Sequence, residues 1–141
     1  MDLSTAESRT EALLCPEEDR LAGGALNAAL ANEIGRLVAE TVGRGATRSR
    51  AFVTHDTVVC VLENGVTKAE RTLIDAGNVE LVRTQRDALQ RVMEPRLVGC
   101  VERLTGRSVM TFLSGTSTLA DSSVEVFLLE PASRAEAIGA R

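Results

Sequence analysis

The stretch RAFVTHDTVVCVLE, residues 50–63, decides the fold. Two runs rich in β-branched residues, 51–54 and 58–62, stand on either side of His55, Asp56 and Thr57. Short apolar runs around a polar turn are typical of a β-hairpin. Because the second run is apolar throughout, we expect it to be covered on both faces or to lie centrally in the sheet.

A second hairpin is predicted from LTGRSVMTFLSGTS, residues 104–117, and the apolar run that follows it. Gly106 is placed to end a helix, after which strands at residues 108–113 and 124–129 would enclose a polar loop at 114–123. Such a loop is longer than the two to five residues of most hairpin loops. It is therefore predicted to be either a flexible tip or a binding loop.

Three helices are predicted. Apolar residues spaced by three and four between residues 21 and 42 indicate an amphipathic helix. Thr67 and Glu70 form the pattern of a capping box, so a second helix should start at Thr67. After a pause at Gly77 and Asn78, a long helix should cover residues 79–104, with a kink or a break at Pro95.

Together these elements predict an α+β fold in which two antiparallel hairpins form one four-stranded sheet, with the helices packed on one face. A single domain is expected over residues 21–131. Residues 1–20 hold six acidic residues against two arginines and are predicted to be an acidic mobile tail, while residues 132–141 form a C-terminal tail.

Composition excludes several classes of function. The chain has no Trp or Tyr and a net charge of −4, so it lacks the basic, aromatic surface of a nucleic-acid-binding protein. We find neither the pattern of a signal peptide nor an apolar run long enough to cross a membrane. These features predict a soluble cytoplasmic protein without direct membrane insertion.

The residues of catalytic and metal sites are scarce. Cys60 and Cys100 lie in apolar runs and are predicted to be buried free thiols, and the odd third cysteine, Cys15, fits a reducing compartment. His55 is the chain's only histidine and lies about 15 Å along the strand from Cys60, too far for a local nucleophile–base pair. We predict no catalytic residue, metal or cofactor, and no enzyme activity.

Arginines around a glycine turn suggest a binding function. Arg44, Arg48 and Arg50 lie close to Gly43 and Gly45. They are either solvated surface residues or the groups that hold an anion or an acidic partner. The candidate anion- or partner-binding residues are Arg44, Arg48, Arg50, Arg107, Ser114, Thr116 and Ser117. A small-molecule or anion sensor that uses these arginines and the loop at residues 114–118 is thus an alternative function.

A homodimer is also predicted. A four-stranded sheet exposes backbone groups at its edges, and pairing two copies edge to edge or helix to helix would cover them. The charged residues of the long helix, Arg86 among them, are expected to be solvated or to pair across such a dimer.

Two segments carry a family resemblance. NEIGRLVAETVGRGATRSRAFVTHDTVVCVLENGVTKAERTL, followed by LTGRSVMTFLSGTSTLADSSVEVFLLE, resembles the MpsC-like family of small bacterial proteins. The resemblance covers residues 31–131. Its most specific elements are residues 43–45, 67–71, 104–107 and 125–130.

The resemblance implies a function that the residues alone do not. The family takes its name from a membrane-potential-generating system whose membrane components are linked to sodium translocation or bicarbonate uptake, and MpsC is its soluble companion. The chain is therefore expected to be an accessory or regulatory protein, with membrane transport proteins as partners. No catalytic residues are carried over, because the family has none that are established.

Overall fold

The structure, a computed structural model, describes residues 23–131. Its elements are α1 (Gly23–Val42), β1 (Arg48–Thr54), β2 (Thr57–Glu63), α2 (Lys68–Asp75), α3 (Val79–Thr105), β3 (Val109–Ser117) and β4 (Ser122–Leu129). The predicted tails at residues 1–20 and 132–141 lie outside the described residues.

The four strands form one antiparallel sheet in the order β1-β2-β4-β3. Within each hairpin the two strands pair with each other, β1 with β2 and β3 with β4. The two hairpins join through β2 and β4, which are the two central strands. This confirms the predicted α+β class and the single four-stranded sheet. The continuous apolar run of β2 lies in the interior of the sheet, as expected.

One face of the sheet forms the core with the helices. The sheet residues that point to it alternate along the strands: Ala51, Val58, Cys60, Leu62, Phe127 and Leu129. Buried residues of α1 and α3 complete the cluster: Leu30, Ile34, Leu37, Val38, Met93, Leu97, Cys100 and Val101. Phe112 packs against Phe127 with ring centroids 5.0 Å apart and the rings tilted by 40°. With few aromatic residues, the core is therefore built mainly from aliphatic side chains.

Local signals set the ends of the helices. Thr67 caps α2 through a capping box, in which its hydroxyl accepts from the Glu70 amide and the Glu70 carboxylate accepts from the Thr67 amide. Gly106 ends α3 with φ at 71°, a left-handed conformation that favours glycine. Both helix boundaries are confirmed, and α3 runs one residue beyond the predicted end.

Of the kink or break predicted at Pro95, the break is wrong, because α3 is continuous from Val79 to Thr105, and the kink stays a prediction. Proline removes the hydrogen bond to the carbonyl four residues earlier, that of Arg91. Both Pro95 and Arg91 lie on the exposed side of the helix, where water can donate to that carbonyl in place of the missing amide.

The prediction of a ten-residue loop at 114–123 is also wrong. β3 continues to Ser117 and β4 begins at Ser122, so only residues 118–121 connect them. The polar residues before the turn pair with β4, because strand pairing uses backbone groups and an edge strand does not need apolar side chains. Asp121 fixes the turn against the β2–α2 connection, since its carboxylate accepts from the Val66 amide at 2.9 Å.

Candidate functional site

The arginines near the glycine turn lie at one end of β1. Arg44 donates to the backbone carbonyl of Asn64 at 3.2 Å, and Arg50 pairs with Glu63 at 3.4 Å. Arg48 is exposed at the first position of the strand. Two of the three guanidinium groups therefore help to hold the β1–β2 hairpin and the connection that follows it.

Arg107 lies at the opposite end of the sheet. Its guanidinium donates to the backbone carbonyls of His55 at 3.0 Å and Glu130 at 2.7 Å, and it also pairs with Asp56. These contacts tie the β1–β2 turn to the end of β4. The side chain is largely buried by them, so Arg107 joins two parts of the fold and does not adjoin the other candidate arginines.

The polar residues of β3 lie on the far edge of the sheet. Ser114, Thr116 and Ser117 belong to β3, and β2 and β4 separate them from β1. Three strand spacings amount to about 14 Å. The structure thus does not bring the seven candidate residues into one site, and a binding role for any of them stays a prediction.

A buried acid that sequence reasoning missed lies between the sheet and α3. Glu125 of β4 is fully buried, and its Oε2 accepts a hydrogen bond of 2.7 Å from the Gln90 amide. Burial raises its pKa to about 7, against the opposing effect of hydrogen bonds from Ser114 and Gln90. Oε1 of Glu125 and Oε1 of Gln90 have no hydrogen-bond partner. When protonated, Glu125 carries a hydroxyl donor that the charged carboxylate lacks.

The strand pattern contains a signal for this buried acid. Residues two apart in a strand share a face, so Glu125 shares its face with Phe127 and Leu129. Both of these are core residues. Because Val124 and Val126 are also apolar, the sequence does not show which of the two faces is buried.

An ion pair connects α2 with α3. Arg86 donates to both carboxylate oxygens of Glu70, at 2.7 and 2.6 Å, and to the carbonyl of Gly65 at 2.8 Å. Burial alone would raise the pKa of Glu70, but the bonds from Arg86 and Thr67 outweigh it and hold that pKa below its ordinary value. The expectation that Arg86 is solvated or pairs across a dimer is therefore wrong, because the residue is buried against Glu70.

The two cysteines of the described chain are buried free thiols, as predicted. Burial raises the pKa of Cys60 to about 12 and that of Cys100 to about 11, and nearby carboxylates add to both effects. Thiols with such pKa values hold their protons at neutral pH and are poor nucleophiles. Within residues 23–131, no three His, Cys, Asp or Glu side chains come together as a metal site would require.

The face of the sheet that points away from the helix-packed core carries an apolar row. The register places Phe52, Val59, Val126 and Leu113 side by side, one from each strand. Phe52 is 46% exposed and Leu113 is 54% exposed. We call the face that contains this row the open face.

The neighbouring rows are of mixed character, and their apolar side chains lie on the two central strands. On one side lie Arg50, Val61, Val124 and Gly115, and on the other lie Thr54, Thr57, Leu128 and Thr111. Arg48, Glu63, Ser122 and Ser117 form a polar row at one end. An antiparallel sheet with one solvated face normally alternates apolar and polar residues, so the apolar centre of the open face is unusual.

These features define a small two-layer α+β domain with buried, protonated thiols and an apolar sheet face. The family model described as "Na+-translocating membrane potential-generating system (MpsC)" matches residues 22–131, which include every described helix and strand. The chain belongs to the MpsC family. No curated protein and no solved structure matches the chain. No helix within residues 23–131 is both long enough and apolar enough to cross a membrane.

Proposed function

We propose that this chain is a non-catalytic accessory protein of a membrane-potential-generating system. The observation that carries the proposal is the family match, which spans residues 22–131. All seven described elements fall within that range, so the described fold as a whole corresponds to the family's module. The family's description names a sodium-translocating system, and we assign the chain to that system as a regulatory component on the cytoplasmic side.

The accessory protein acts by binding. An apolar row that runs across four strands, with end residues about half exposed, is the kind of surface that protein contacts use. The protein works as a homodimer, and the membrane transport proteins of the system are its further partners. It needs no cofactor for this role.

A deletion strain tests the proposal. The gene is removed from its host, and the membrane potential is measured with a potential-sensitive dye at low and high external sodium. We expect a reduced potential and impaired growth that depends on sodium, both restored by the wild-type gene on a plasmid and not by the empty plasmid. Unchanged potential and unchanged growth at every sodium concentration would contradict the proposal.

A titration of expression separates an accessory protein from an enzyme. A binding partner acts in proportion to the amount of membrane component that it occupies, so recovery should rise with expression and level off near equal amounts. An enzyme turns over many times and would restore the potential at a small fraction of that level. Full recovery at about one-hundredth of the native level would exclude the accessory role.

Thermal unfolding with added anions tests the alternative of a sensor. A ligand at about a hundredfold excess over its Kd stabilises a protein by about 2.7 kcal/mol, which is readily measured as a rise in Tm. The accessory role predicts no such rise with bicarbonate or phosphate. A rise that Arg48→Ala abolishes would favour the sensor, because Arg48 is exposed whereas Arg44 and Arg50 are held by contacts with Asn64 and Glu63.

A further inference from the structure

We propose that a second copy of this chain covers the open face, so that two sheets pack face to face around a two-fold axis parallel to the strands. The inference rests on the homodimer of the proposed function and names its surface. This interface uses neither the edges of the sheet nor the helices, which were the two surfaces expected for a dimer.

The composition of the central strands supports a covered face. The run from Val58 to Leu62 is apolar at every position, yet α1 and α3 cover only the side that carries Val58, Cys60 and Leu62. Val59 and Val61 point to the open face. Val124, Val126 and Leu128 of β4 lie beside them. Strands with apolar residues on both sides are typical of sheets that are buried on both faces.

The register makes the open face complementary to itself. Rotation about an axis parallel to the strands places β1 of one copy over β3 of the other, and β2 over β4. Phe52 then lies against Leu113 of the second copy, and Val59 lies against Val126 of the second copy. Two sheets packed in this way form a sandwich with an interior about 10 Å thick.

The sizes of the facing side chains are also complementary at the outer strands. Arg50 and Gly115 are the outer members of one row, so the rotation sets each Arg50 over Gly115 of the second copy. Glycine has no side chain, which leaves space for the long stem of arginine. The polar row at the end of the sheet meets its own counterpart, because the rotation keeps the strand direction.

The area of the face is sufficient for a dimer. Four strands and four rows span roughly 19 by 27 Å, or about 500 Å² on each copy. Two copies would bury about 1,000 Å² in total, the size at which specific interfaces begin. We therefore expect a dimer that is populated at tens of micromolar and that dissociates on dilution.

Mass measurement on the 141-residue chain tests the proposal. At tens of micromolar, sedimentation equilibrium should give about twice the chain mass of 15.0 kDa. Leu113→Lys and Phe52→Glu each place a charge in the interface and should raise the dimer Kd at least about 100-fold. The double variant, Phe52→Glu with Leu113→Lys, places opposite charges together twice and should recover dimerisation to within about tenfold of wild type.

Val92→Lys is the matched control. Val92 is 68% exposed on α3, in the other layer, so the same charge there should leave the Kd within about twofold of wild type. Circular dichroism and Tm report whether each variant folds. Leu113→Thr keeps a strand-forming residue and gives a second, gentler test, with a Kd increase of about tenfold expected.

Several results would overturn the proposal. If the wild-type protein has the mass of one chain at tens of micromolar, a second copy does not cover the open face and the proposal is wrong. Equal dimerisation of Val92→Lys and Leu113→Lys would show that another surface forms the dimer. A double variant that stays monomeric while both single variants fold would rule out the strand alignment. Because each result is read from purified protein, it is independent of the membrane-potential assay that tests the proposed function.

Discussion

Gln90 of α3 donates its side-chain amide to Glu125 of β4 at 2.7 Å, and this hydrogen bond links the helix layer to the centre of the sheet. It places the acid where water does not reach it. Since burial raises the pKa of Glu125 to about 7, the acid changes its charge near neutral pH.

The stability of the protein should fall as the pH rises from about 4.5 to about 7. In this window the unfolded chain has released the proton of Glu125, whereas the folded chain still holds it. The folded state therefore binds more protons, and each increase in pH favours unfolding. The full change amounts to roughly 3 kcal/mol in the free energy of unfolding, measured by urea titration at a series of pH values.

Glu125→Gln should remove this dependence. The amide of glutamine can accept from Gln90 as the carboxylate does and carries no charge at any pH, so the variant should be more stable than wild type above pH 7. His55→Asn is the control, because it removes the only histidine and asparagine tolerates the positive φ of 52° at that turn. If His55→Asn abolished the slope and Glu125→Gln left it in place, Glu125 would not be its origin.

Loss of Arg86 should destabilise the fold strongly. Arg86→Met leaves the buried carboxylate of Glu70 without its cation, which costs about 3 kcal/mol or more. Arg83→Met, one turn earlier, removes an exposed pair with Glu80 and should cost no more than about 0.5 kcal/mol. Urea unfolding of both variants measures the two losses in the free energy of unfolding. Equal losses would show that burial does not make the Arg86–Glu70 pair stronger than the exposed pair.

A double variant tests the pairing itself. Arg86→Met with Glu70→Gln removes both charges, so the double loss should be smaller than the sum of the two single losses by about 1 kcal/mol or more. Additive losses would mean that the two side chains contribute separately.

Cys60 and Cys100 should react slowly with thiol reagents in the native protein. At pH 8, a pKa of about 12 leaves only about one Cys60 in ten thousand ionised. Cys15→Ser removes the remaining thiol, so that any reaction comes from these two. We expect labelling at least about 100-fold slower than in guanidinium, where both should react completely. Rapid labelling without denaturant would contradict their burial.

Removal of the N-terminal cap of α2 should destabilise the fold less than the loss of Arg86 does. Thr67→Ala deletes the hydroxyl that accepts from the Glu70 amide at 3.1 Å and should lower the free energy of unfolding by about 1 kcal/mol. Thr67→Ser keeps an acceptor and should stay within about 0.5 kcal/mol of wild type. A serine variant as unstable as the alanine variant would assign the loss to the methyl group instead.

Most of the fold could be predicted because its signals are local. The hairpin around His55, the capping box of Thr67 and the end of α3 at Gly106 each depend on neighbouring residues. The end of β3 could not be predicted in the same way. Its residues from Ser114 onward are polar and exposed, and only pairing with β4 makes them a strand.

The buried polar contacts were harder to predict because they join distant residues. Arg86 meets Glu70 across a helix connection, and Gln90 meets Glu125 across 35 positions. On a helix, Arg86 has the same appearance in sequence as the exposed Arg83. The distinction requires knowledge of which helix face packs inward, and that depends on the rest of the fold.

The place of β4 in the sheet has a consequence for synthesis of the protein. The last of the four described strands to leave the ribosome, β4, is one of the two central strands and is flanked by β2 and β3. Until it emerges, the first hairpin has no partner on its inner edge and the core lacks Phe127 and Leu129. Folding that depends on contacts between distant segments is slow and exposes strand edges meanwhile. We therefore expect the sheet to form only after β4 has been synthesised, and chains that stop before β4 to be recognised by chaperones and proteases.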